Sequence, residues 1–139
     1  MKIVLALGCF DGLHYGHLRH LLAAARYGKL CVALTSDAAA GKGPGRPVFP
    51  QRERLEMLKA LRCVSYAEIV DSWHDAFEAI RPDIYVKGAE YEKNLPEMKY
   101  CRRHGIEIVF TKEPVYSSTK ILTGELLNER IRAAGAGLA

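Results

Sequence analysis

The sequence predicts a three-layer α/β domain, doubly wound about a parallel five-stranded sheet. Three observations carry that expectation. Short apolar runs rich in Val, Ile and Leu alternate along the chain with stretches whose apolar residues recur at helical spacing. The connections have the length of crossovers rather than hairpins, which makes neighbouring strands parallel. The 139 residues are enough for one ordinary domain that buries both faces of a sheet.

Residues 2–7 form a continuous apolar run, as a strand buried on both faces should. Residues 17–27 read as a helix, with Leu18, Leu21, Leu22 and Ala25 on one face and Gly28 as a stop at the C′ position. Residues 30–35 make a second strand, so the chain opens as strand–helix–strand with a right-handed crossover. The stretch 36–50 holds Gly41-Lys42-Gly43-Pro44-Gly45-Arg46-Pro47, which marks a functional or mobile loop. A helix over 51–61 turns Leu55, Met57, Leu58 and Leu61 inward and Arg52, Glu53, Arg54 and Glu56 to the wet side. Residues 66–70 form the third strand, and Ser72 caps a short helix over 73–80 that Arg81-Pro82 ends.

A fourth strand, 83–86, opens into the polar loop Lys87-Gly88-Ala89-Glu90-Tyr91. A helix from Pro96 to His104 closes at Gly105, and 106–110 is the fifth strand. Ser117-Ser118-Thr119-Lys120 then leads into a last helix over 121–132. Residues 1–132 make up the domain, and 133–139 a small, glycine-containing tail that frays. Trp73, Tyr66 and the leucine stripes read as core or interface.

The bulk composition narrows the function classes. A net charge of +4 fits an anionic substrate, but the basic residues are dispersed and not interleaved with aromatics, which argues against a nucleic-acid partner. Cys9, Cys31, Cys63 and Cys101 are widely spaced with no C-x-x-C pair, so neither a zinc site nor a disulfide framework is expected. No apolar run approaches the roughly 20 residues that span a bilayer, and no signal-peptide pattern opens the chain. The expectation is a cytoplasmic domain with reduced thiols and no membrane partner.

Ligands of such sheets bind beyond the carboxyl ends of the strands, at the topological switch point. Three polar segments leave that edge: residues 8–17, the loop at Lys87, and the segment near Lys112. The first combines Gly8, Gly12 and Gly16 with Asp11, His14 and His17 at a helix start, a phosphate cradle with imidazole donors. Its glycines do not fit the G-x-G-x-x-G dinucleotide fingerprint, and no segment fits the Walker P-loop. His14, His17 and His20 are spaced by threes, but a zinc site would lack a fourth ligand and leave Gly16 without purpose. No metal ligand is predicted, and His20 is placed on the helix flank.

What does match is H-x-G-H, His14-Tyr15-Gly16-His17, preceded by Gly8-Cys9-Phe10-Asp11. Four further blocks follow in order: Lys42-Gly43 with Arg46-Pro47-Val48, Arg81-Pro82-Asp83, Val86-Lys87-Gly88, and Ser117-Ser118-Thr119-Lys120-Ile121. Through these blocks the chain resembles the cytidylyltransferase-like nucleotidyltransferases, which have a Rossmann-like fold. It is most similar to the adenylyltransferase domain acting on heptose 1-phosphate and to the glycerol-3-phosphate cytidylyltransferases. The resemblance runs from Lys2 to about Ile121.

The resemblance implies transfer of a nucleoside monophosphate to a small phosphorylated acceptor, with Mg²⁺ accompanying the nucleoside triphosphate and pyrophosphate as the product. It implies catalytic roles for His14, His17 and Lys42. Nucleotide contacts fall to Gly8, Cys9, Phe10, Gly16, His17, Lys87, Gly88, Glu90, Tyr91, Ser117, Ser118 and Thr119, and acceptor contacts to Asp11, Lys42 and Arg46. Asp11 is equally readable as a turn-stabilising aspartate. Lys87-Gly88-x-Glu90-Tyr91 resembles the K-G-x-D-Y segment of the heptose enzymes, in which Lys87 favours ATP over CTP, while glutamate in place of aspartate shifts the carboxylate that bears on substrate and base contacts. The R-T-x-G-x-S-T-T run is incomplete, with Lys112 at the arginine position and Val115 at the glycine. A homodimer is implied as well. Cytidylyl transfer to a polyol phosphate, adenylyl transfer to a cofactor precursor such as FMN, and a non-catalytic nucleotide-binding domain are the alternatives.

Overall fold

The computed structural model describes residues 1–41, 43–113 and 116–135. Lys42, Val115 and residues 136–139 of the expected tail lie outside the described residues. Five strands, β1 (Ile3–Gly8), β2 (Lys29–Thr35), β3 (Tyr66–Val70), β4 (Ile84–Gly88) and β5 (Glu107–Thr111), pair in parallel in the order β3-β2-β1-β4-β5. The helices are α1 (Tyr15–Ala25), α2 (Asp37–Ala40), α3 (Gln51–Lys59), α4 (Trp73–Ile80), α5 (Met98–His104), α6 (Ser118–Leu122) and α7 (Glu125–Ala134). A single 3₁₀ turn, Ala89–Tyr91, follows β4.

Alternation along β1 explains the three layers. Val4 and Ala6 pack with Leu21 and Ala24 of α1 and Leu58 of α3, whereas Leu5 packs with Ala76 and Phe77 of α4 and Cys101 of α5. Each fully buried Leu or Phe contributes about 1.5–3 kcal/mol, so both faces of the sheet must be covered. The chain winds outward from β1 through β2 to β3, then crosses to β4 on the other side. The switch point lies between β1 and β4, and the residues following β1 emerge there.

The elements differ from their sequence signatures at several ends. α1 starts at Tyr15, two residues before the apolar spacing begins, and ends at the C-cap Arg26. Gly28 therefore lies beyond the cap; a Cβ there would strike the Lys2 carbonyl oxygen, which accepts from Lys29 N at 2.8 Å. Leu22 is 41% exposed, and Ala24 takes the inward position instead. Ser36 caps a one-turn α2 inside the expected loop by accepting from Ala39 N. The last helix is two helices, because Gly124 sits at φ 81°, which a right-handed helix cannot continue. α7 then runs on through Ala133 and Ala134, residues assigned above to the tail. Tyr66 is 49% exposed on edge strand β3, outside the core, while Trp73 packs against the α4–α5 side. Cys9, Cys31, Cys63 and Cys101 are free. Among the described residues no helix is long and apolar enough to cross a membrane.

Candidate active site

A cavity of about 440 Å³ opens at the carboxyl edge of the sheet, within the range that suits a small-molecule ligand. One end of it is built by the start of α1. His14 is the N-cap, with extended backbone, and its Nδ1 accepts from His17 N at 3.2 Å. His17 answers with Nδ1 accepting from His14 N at 3.4 Å, which closes a capping box made of two imidazoles. The rings stack with centroids 3.7 Å apart. A neutral imidazole whose Nδ1 accepts carries its proton on Nε2. The local fold therefore sets the tautomer of both rings and leaves Nε2–H as the donor edge of each.

His14 Nε2 is buried and has no partner among the described residues. Such an orphan costs about 1–3 kcal/mol unless a ligand supplies the acceptor. Burial also pushes the His14 imidazole below the ordinary histidine range, so the ring is neutral at pH 7. Gly16 is required here by packing. A Cβ would come within 2.8 Å of the Tyr116 ring and 3.0 Å of His14 Cε1. Phe10, at φ 54°, holds a left-handed conformation that costs a non-glycine residue on the order of 1 kcal/mol. The turn directs its ring under Gly8 and to 5.2 Å from the His17 ring.

The facing wall comes from β4, β5 and the segment before α6. Lys87, Gly88, Glu90, Tyr91, Ser117, Ser118 and Thr119 all line the cavity with Gly8, Cys9, Phe10, His14, Gly16 and His17. Lys87 Nζ lies 4.5 Å from the Tyr91 ring centroid and 3.4 Å from the Leu7 carbonyl oxygen. Burial pushes the Lys87 ammonium down, and Glu97 and Glu90 partly offset that. The Glu90 carboxylate folds back over Gly88, where a Cβ would have to displace it. Ser117 caps α6 by accepting from Lys120 N at 3.2 Å.

Asp11 and Arg46 do not line this cavity. Asp11 is fully buried and accepts from Val48 N at 2.8 Å, Phe49 N at 3.0 Å and Arg46 Nε at 2.9 Å. Burial alone would raise its carboxyl; the two backbone N–H groups and the guanidinium outweigh it and hold the group below the usual carboxylate range. Instead of the expected acceptor contact, Asp11 makes a latch that ties residues 46–49 to the turn after β1. Arg46 continues the tie to Thr119 Oγ1 at 3.1 Å, while its Nη2 is buried without a partner among the described residues. Lys112 is exposed and faces the α1 end beside Ala23, Arg26 and Tyr27, away from the cavity.

Three residues of the site lack a sequence signature. Arg54, placed on the wet face of α3 by its charge, is 1% exposed. Its guanidinium donates to the carbonyls of Phe49 at 2.9 Å, Cys9 at 2.7 Å and Thr35 at 2.8 Å, and pairs with Asp37 at 2.7 Å. His20, placed on the helix flank, lines the cavity with Nδ1 3.0 Å from Thr111 Oγ1. Glu113, paired with Arg19 at 3.2 Å, lines it too. The donor set suits phosphate oxygens, and the carboxylates lining the cavity are Glu90 and Glu113. Among the described residues no three His, Cys, Asp or Glu side chains gather as a metal cage.

Comparison with known proteins places the chain in a family. A profile of the cytidylyltransferase-like family matches residues 5–124. The chain is 43% identical over 115 residues to the bifunctional protein HldE of Streptomyces coelicolor, which covers 77% of this chain and 24% of that protein. It is also 43% identical over 94 residues to the bifunctional protein HldE of Syntrophotalea carbinolica, covering 64% and 19%. The chain thus spans about a quarter or less of the curated relatives it matches. Among solved structures, a lipopolysaccharide core biosynthesis protein from Thermoplasma volcanium superposes with a TM-score of 0.71 at 25% identity, covering 83% of this chain and 99% of that one. A pantothenate synthetase from Thermus thermophilus shares the fold, with a TM-score of 0.58 at 14% identity over 80% of this chain and 55% of that one.

Proposed function

The chain belongs to the cytidylyltransferase-like family of nucleotidyltransferases, and on that premise we propose that it transfers a nucleoside monophosphate from a nucleoside triphosphate to a small phosphorylated metabolite. The first reading is adenylyl transfer from ATP to a sugar phosphate of the heptose 1-phosphate type, supported by the likeness to the HldE proteins and by Lys87 in the cavity wall. The observation that carries it is the reciprocally capped histidine pair at the mouth of the helix, in which His14 Nε2 is buried and without a partner among the described residues.

In the proposed reaction an oxygen of the acceptor phosphate attacks the α-phosphorus. The bond from that phosphorus to the bridging oxygen breaks, and pyrophosphate leaves with the electron pair. No enzyme nucleophile is needed; the protein aligns the partners and stabilises charge on the non-bridging oxygens. Nε2–H of His14 and of His17 supply that charge stabilisation at fixed positions, because the capping box forbids either ring to turn. Lys87 balances charge from the facing wall, and Ser117, Ser118 and Thr119 offer hydroxyl donors. Lys42 and Arg46 are proposed to meet the acceptor phosphate. Mg²⁺ suits this oxygen-rich edge only as the companion of the triphosphate, where the same three hydroxyls would help hold it and it would neutralise phosphate charge.

The test is a pyrophosphate-release assay that crosses ATP and CTP with a panel of sugar and polyol phosphates. Release is expected with ATP and a sugar phosphate. His17→Ala is expected to slow it by roughly two or more orders of magnitude with the fold retained, the scale of losing one transition-state donor. Absence of release with every pair, or a near-normal rate in the variant, contradicts the proposal.

A further inference from the structure

Taking the nucleotidyl-transfer reading as its basis, we propose that His20 selects the nucleobase, accepting a hydrogen bond at Nε2 from the exocyclic amino group of adenine or cytosine. His20 stands one turn along α1 from His17, on the same side and facing the same cavity. Residues three apart on a helix have Cβ atoms about 5–6 Å apart. A nucleotide whose α-phosphate rests on His17 therefore carries its nucleoside past His20, between α1 and the wall formed by Lys87, Tyr91 and Thr111.

The proton count at Thr111 fixes the sense of His20. Thr111 Oγ1 lies 3.4 Å from the Lys87 carbonyl oxygen, to which it donates, and 3.0 Å from His20 Nδ1. A threonine hydroxyl has one proton. Both bonds form together only when that proton goes to the carbonyl and His20 Nδ1–H donates to Oγ1. Nε2 is then a bare acceptor, opposite in sense to the Nε2–H edges of His14 and His17. Burial pushes the His20 imidazole down and the Lys87 charge acts the same way, which together outweigh the upward pull of Glu90 and Glu113.

A ribose hydroxyl both donates and accepts, so a fixed tautomer would not discriminate among its partners. A base edge has a fixed sense. Adenine N6 and cytosine N4 are donors, whereas guanine O6 and the uracil carbonyl at the same place are acceptors. Against a keto oxygen, two acceptors would meet and each would be left unsatisfied.

Binding of non-hydrolysable analogues of ATP, CTP, GTP and UTP, measured by titration calorimetry, separates the outcomes. The unaltered protein is expected to bind the ATP and CTP analogues, with an amino group at adenine C6 or cytosine C4, about tenfold or more tightly than the GTP and UTP analogues, with an oxygen there. His20→Phe, which removes the lone pair, and Thr111→Val, which releases the tautomer, should both bring the four affinities within about threefold of each other. Equal affinity for all four analogues in the unaltered protein, alongside pyrophosphate release, would overturn the base-selection proposal alone. A uniform weakening by both variants would also overturn it, because a merely structural histidine would act that way. Failure of the unaltered protein both to bind any analogue and to release pyrophosphate would remove the catalytic reading and this proposal together. If His20→Phe does not fold, Thr111→Val decides.

Discussion

At the scale of single residues, the two motif histidines carry two duties on opposite edges of one ring. The Nδ1 edges close the helix cap, and under the proposed reaction the Nε2 edges serve the phosphate. The duties can be separated by substitution. Asn is a favoured N-cap residue, and its side-chain oxygen can accept from His17 N as the His14 Nδ1 does. His14→Asn is therefore expected to change stability by less than about 1 kcal/mol while lowering turnover by roughly two orders of magnitude. Denaturant titration and pyrophosphate release check the pair of outcomes, and equal loss in both would show that the cap cannot be replaced. The H-x-G-H spacing was legible because i and i+3 at a helix start meet by geometry alone. The role of Asp11 was not, since a buried carboxylate and a substrate contact look alike until the N–H groups of Val48 and Phe49 are brought to it.

At the scale of elements, α3 is more than a cover for the sheet. Through Arg54 it joins the ends of β1 and β2, the start of α2 and the close of the loop that precedes it. Arg54→Met would leave three carbonyl oxygens and Asp37 without their donor. Asp37 is 45% exposed and can be solvated once unpaired, so the expected cost is that of the orphaned carbonyls, about 1–3 kcal/mol for each buried acceptor left unsatisfied, read as a lower denaturant midpoint. A change under about 1 kcal/mol would mean that water replaces the guanidinium. Charge pattern misplaces this residue because Arg52, Glu53, Arg54 and Glu56 form one polar run, and nothing local says which of them meets converging carbonyls. The same limit hid His20, whose neighbour Thr111 is 91 positions away. Element ends were misjudged where a single cap decides them: His14 starts α1 early, and Gly124 splits the last helix.

At the scale of the whole molecule, the parallel doubly wound sheet was legible from the alternation of apolar runs and helical stretches, because burial on both faces leaves few other solutions. The molecule's response to acid follows from two groups inside it. His14 and His20 both sit below the ordinary histidine value of about 6.5 when folded. Below that value the unfolded chain binds more protons than the folded one, so stability falls as pH falls. Thermal midpoints should therefore be constant above about pH 7.5 and decline on acidification through about pH 6.5, less steeply in His14→Asn. A midpoint unchanged across that range would show that neither imidazole is suppressed. The imidazole capping box also bears on descent. In most active sites, catalytic residues are held against stability, so loss of function relaxes the fold. Under the proposed role of His14, the first step away from catalysis also unfastens a helix, unless the replacement can cap. A lineage that abandons turnover but keeps the domain should therefore carry Asn, Asp, Ser or Thr where His14 stands, and that substitution would mark a retired enzyme more plainly than any loss in the loops around it.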